Sequence, residues 1–98
     1  MSLIKEIKTK VDELLNGYNY TSIIVSDNES RGVLEVEIKF NPPIDINEFN
    51  KLIVGIRNIV KEVILRNQIG LRIPSIVHTF SKNSENKITS AAIIIEVN

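Results

Sequence analysis

The chain has 98 residues, twelve basic and twelve acidic side chains and no net charge, a size that suits one domain spanning 1–98 with a real apolar core. It contains no cysteine, which excludes a disulfide framework, a thiolate metal site and a cysteine nucleophile. The balanced charge is also unlike the basic composition usual in duplex-binding proteins.

The first ten residues, MSLIKEIKTK, are charged and periodic rather than a signal-peptide run. No stretch approaches the ~20 apolar residues of a membrane span, so a cytoplasmic location is the expectation. Ser2 can cap a first helix over 2–16, with Leu3, Ile4, Ile7, Val11, Leu14 and Leu15 on its apolar stripe and Gly17 as its stop. Tyr18 to Ser26, rich in β-branched and aromatic residues, reads as a first strand. The polar run Asp27 to Gly32 reads as a turn. Val33 to Phe40 alternates strictly, with Leu34, Val36, Ile38 and Phe40 on one face and Val33, Glu35, Glu37 and Lys39 on the other. Such alternation predicts one covered and one wet face. Asn41-Pro42-Pro43 then separates this strand from the next element.

Ile44 to Gly70 contains the main core-forming helix. Phe49, Leu52, Ile53, Ile56, Ile59, Val60, Val63 and Ile64 recur at three- and four-residue steps and share one face. Asp45 with Glu48 fits an N-cap and its reciprocal partner, and Gly70 is the expected stop. Val54 and Leu65 fall on the polar face, among Lys51, Asn58, Lys61 and Glu62. Gly55, on a flank of the stripe, would let another helix approach closely.

Leu71 to Ser81 reads as a strand that Pro74 restricts to an edge, a bulge or a start after Ser75. Lys82 to Lys87 is a polar turn, and Ile88 to Val97 is the last strand. There, Ile93, Ile95 and Val97 form one apolar row, while Ile88, Ser90, Ala92, Ile94 and Glu96 form a second row with an apolar centre. A strand apolar on both faces is usually covered on both. The order α-β-β-α-β-β predicts an α+β two-layer sandwich, a four-stranded mainly antiparallel sheet with two helices on one face.

The chain carries no glycine-rich phosphate loop, paired-histidine zinc motif, nucleophile elbow or calcium loop. His78 is the single histidine and has no i, i+4 companion, so it reads as a polar residue of the strand rather than a ligand or base. Glu35 and Glu37 stand roughly 6–7 Å apart by strand rise. They continue with Lys39 as a solvated row rather than a hydrolytic pair.

These patterns point away from an enzyme and from any cofactor or metal. The expectation is a small interaction module that self-associates as a homodimer through its sheet, with Ile88, Ala92, Ile94, Val54 and Leu65 as interface residues. An alternative is nucleic-acid binding through the basic long helix and last hairpin, with Lys51, Arg57, Lys61, Arg66 and Arg72 as contacts. Another is a small-ligand or enzymatic site formed between subunits.

Overall fold

Asp45 starts the long helix as its sequence predicts. Its backbone is extended, and its side-chain oxygen accepts the Glu48 N–H at 2.8 Å, which satisfies one of the otherwise unpaired amides of the first turn. The computed structural model describes residues 3–18, 20–28, 31–67 and 74–97, with 20–25 and 27 described through their backbone. Its elements are α1 (Leu3–Leu15), β1 (Tyr20–Asn28), β2 (Val33–Ile44), α2 (Ile46–Arg66), β3 (Ser75–Lys82) and β4 (Ile88–Glu96).

The fold is α+β. Its centre is an antiparallel sheet in the order β2-β4-β3, against which the two helices pack while also packing on each other. The backbone of β1 runs antiparallel along the other side of β2, with Ile23 opposite Ile38 and Asn28 opposite Val33. Every second residue of β2 from Leu34 to Phe40 is buried, and Ala91, Ile93, Ile95 and Val97 are buried on the β4 side. These rows meet Ile4, Ile7, Val11 and Leu15 of α1 and Phe49, Leu52, Ile53, Ile56, Val60 and Val63 of α2 in one continuous core. Ile59 and Ile64 flank the α2 stripe half-buried. No helix among the described residues is long and apolar enough to cross a membrane.

The helices run antiparallel. Leu14, near the end of α1, lies against the middle of α2 at Gly55, where an added Cβ would sit 3.0 Å from a Leu14 methyl carbon. At the other end Glu6 accepts a hydrogen bond from the Arg66 guanidinium and one from the Asn67 amide at 2.9 Å. The Asn67 amide also reaches the Val63 carbonyl at 2.8 Å, so this side chain closes the helix. Gly70, the expected stop, lies outside the described residues, as does Ser2, the expected cap of α1. At the end of α1, Gly17 and Tyr18 donate their N–H groups to the carbonyls of Leu14 and Leu15.

Strand boundaries differ from the sequence reading in instructive ways. β2 continues through Pro42 and Pro43 to Ile44 instead of ending at Phe40. The ladder is irregular there: Lys39 pairs with Ser90, and pairing resumes only at Ile44 with Ile88. Prolines are tolerated in such a stretch because no regular ladder bond is asked of them. β3 begins at Ser75, directly after Pro74 and one residue before the start the sequence allowed, and it is an edge strand, the first of the options that proline left open. The polar turn before β4 is organised by Asn83, whose side-chain oxygen accepts the N–H groups of Glu85 and Lys87, while Asn86 takes a left-handed φ of 62°.

Candidate protein interface on the sheet

Register determines what the outer sheet face presents. Across β2, β4 and β3 the outward rows are Glu35-Ile94-Val77, Glu37-Ala92-Thr79 and Lys39-Ser90-Ser81. A further row is Val33-Glu96-Ser75. No described helix covers this face. Ile94 is 40% exposed and its neighbour Val77 is 56% exposed, so two large apolar side chains stand side by side in water. Ala92 and Val33 are half-buried beside them.

Two shallow hollows flank this apolar centre on the same face. One of about 410 Å³ is lined by Glu37, Lys39, Thr79, Ser81, Ser90 and Ala92 with the backbone between them. The other, about 390 Å³, is lined by Ser26, Asn28, Arg31, Val33, Glu35, Ile94 and Glu96. Both are open, and neither gathers groups arranged for chemistry. Among the described residues no three His, Asp or Glu side chains come together as a metal would require.

The five residues expected at an interface divide among three places. Ala92 and Ile94 lie on the open face. Val54 and Leu65 are strongly exposed on α2, and eleven residues of separation bring them to within about 20° of one another around the helix. Ile88 is a correction: it is fully buried in the core and does not belong to the outward row of Ala92 and Ile94. The cause is a pairing slip. Ser81 pairs with Ser90 but Lys82 pairs with Ile88, so Thr89 is skipped, and its hydroxyl instead donates to the Ser81 carbonyl. One skipped residue moves the next side chain to the other face.

The basic residues of α2 do not form one stripe. Lys51, Arg57 and Lys61 are exposed, but Arg57 and Arg66 lie about 180° apart around the helix, and Arg66 is held by Glu6. Arg72 lies outside the described residues. His78 faces the helices, half-buried, with its ring 5.7 Å from the buried Phe49 ring in an edge arrangement. Glu35 and Glu37 both stand on the open face, opposite Ile94 and Ala92.

Three exposed apolar residues escaped the sequence reading, Ile46, Val77 and Phe80. Phe80 packs 5.3 Å from Phe49 between ring centroids, with the Lys82 ammonium 5.7 Å from its own ring, and yet remains 40% exposed. Val77 and Phe80 lie on β3, at the edge of the sheet, one of the placements that Pro74 left open.

The geometry therefore defines a small α+β domain whose most distinctive surface is an incompletely covered sheet. In sequence, neither a known protein family nor a characterised protein shows a detectable match to the chain.

Proposed function

We propose that this chain is a non-enzymatic interaction module that self-associates as a homodimer through its sheet, in a cytoplasmic setting. In this reading β1 completes a four-stranded, two-layer α-β-β-α-β-β sandwich, supported by the antiparallel register of β1 along β2. The observation that carries the proposal is the pair Val77 and Ile94, exposed side by side on a sheet face that no described helix shields. An exposed apolar cluster rimmed by polar residues marks an association surface, and a two-fold pair is the commonest way to bury one.

Sedimentation equilibrium or light scattering from micromolar concentrations upward tests this directly. The expected mass is twice the 11.1 kDa of one chain. Val77→Lys combined with Ile94→Lys is expected to return the mass to 11.1 kDa while the helical CD signal persists. A wild-type chain that remains at 11.1 kDa throughout ends the proposal. The same run with mixed nucleic acid added decides the rival, since a salt-sensitive heavier species would move the assignment to the basic residues.

A further inference from the structure

Among the described residues β3 is the edge of the sheet, paired with β4 on one side only. Edge strands are ordinarily blunted by charges, prolines, bulges or a covering element, because their unpaired N–H and C=O groups invite another strand. Here Pro74 precedes the strand, and Lys82 with its pairing slip follows, but nothing charged lies between. The seven residues from Ser75 to Ser81 read S-I-V-H-T-F-S.

That window is its own complement when turned end for end about His78. Ser75 falls opposite Ser81, Ile76 opposite Phe80, Val77 opposite its near-isostere Thr79, and His78 opposite itself. The faces agree as well. Ile76, His78 and Phe80 pair with the buried Ile95, Ile93 and Ala91 and so face the helices, while Ser75, Val77, Thr79 and Ser81 face outward. A two-fold axis perpendicular to the sheet therefore keeps helix side with helix side.

We propose that the second copy docks on β3 itself, the two β3 strands pairing antiparallel about a two-fold axis at His78 so that two sheets become one. This rests on the self-association proposed above and specifies its seam. The seam gives the partly exposed Phe80 an apolar neighbour and leaves Ile94 on the open face. Phe80 of each copy lies across from the partner's Ile76, and Val77 across from the partner's Thr79, which lengthens the apolar strip begun by Ile94. Lys82 comes opposite the partner's Pro74, so no like charges meet. Stacking one outer face on another does less well. It would crowd Glu35, Glu37 and Glu96, which surround Ala92 and Ile94, against their counterparts.

The absence of cysteine makes the seam directly testable, since any introduced thiol is unique. Residues opposite one another in an antiparallel pair have Cα atoms about 4.5 or 5.5 Å apart, within disulfide reach. Under mild oxidation His78→Cys is expected to yield a covalent dimer on a non-reducing gel, and Ile94→Cys is not. Because His78 packs on Phe49, a second pair of variants guards against misfolding. Ser75→Cys and Ser81→Cys, both at exposed positions, are expected to cross-link when mixed far more than either does alone. If His78→Cys does not fold, the mixed pair decides alone. A dimer in which Ile94→Cys links, or in which no edge cysteine links, overturns the seam and leaves self-association standing. A wild-type mass of 11.1 kDa overturns both.

Discussion

Gly55 offers a test in which two effects of similar size oppose one another. A glycine inside α2 costs about 0.8–1.0 kcal/mol against alanine, so Gly55→Ala should stabilise by that amount if nothing else changes. Something else does change: the new methyl would lie 3.0 Å from a Leu14 methyl carbon, inside the ~3.5–4.0 Å at which carbon atoms are comfortable. Leu14 is only half-buried, so its side chain can turn aside, at about 0.5–1.5 kcal/mol for an off-rotamer torsion. The two contributions nearly cancel, and Gly55→Ala alone is expected to shift stability by no more than ~0.7 kcal/mol in either direction. With Leu14→Ala already present, the obstruction is gone and the same change should stabilise by the full ~1 kcal/mol. For 98 residues an unfolding entropy of ~2.1 cal/mol/K per residue converts that to about 5 °C in Tm. Urea unfolding followed by far-UV CD, at one fixed protein concentration because association shifts apparent stability, gives all four corners of the cycle. A coupling below about 0.3 kcal/mol, within ordinary additivity, would refute the close approach of the helices at Gly55.

Two further outcomes follow from single side chains. Asp45→Ala removes the acceptor of the Glu48 N–H and should cost ~1 kcal/mol, or about 5 °C, with Asp45→Ser restoring most of it; equal stability of all three chains would show the cap to be idle. Tyr18 should weaken the fold in alkali, because burial raises its phenol above the ordinary value and the Glu48 carboxylate adds to this. The folded chain thus keeps a proton that the unfolded chain releases, so stability is level below the ordinary phenol range near ~10 and falls as pH climbs through it. Tyr18→Phe is expected to shallow that alkaline loss in urea titrations, and parallel profiles for the two chains would contradict it.

Periodicity revealed the helices because both have an uninterrupted apolar stripe on a known 3.6-residue repeat. The Asp45 cap was readable for the same local reason, as its carboxylate accepts the N–H of a residue only three positions on. The strict alternation of Leu34 to Phe40 likewise identified the buried face of β2. Ile88 could not be placed this way. Parity along a strand assumes an unbroken ladder, and the slip at Thr89 arises from how β4 meets β2 and β3, which no local pattern records. Helix termination differed for a related reason: Asn67 closes α2 by reaching both Val63 and Glu6, and the second contact depends on α1 packing alongside. The exposure of Phe80 depends on strand order, since only at the edge of the sheet does an inward-facing aromatic remain partly in water.

The distribution of burial also says that folding and association are separable. Every element whose side chains are described on the helix side contributes to one closed core, and among the described residues no buried polar or charged side chain interrupts it. Val77 and Ile94 lie outside that closure, so the single chain gains little by keeping them apolar; polar residues there would leave the core intact. Of the exposed apolar residues, Ile46, Val54 and Leu65 stand on α2, whereas Val77 and Ile94 are direct neighbours on the open sheet face. An obligate dimer would lose its fold together with its partner. Here the closed core predicts that chains carrying lysine at Val77 and Ile94 persist as folded monomers, with unfolding that no longer depends on protein concentration.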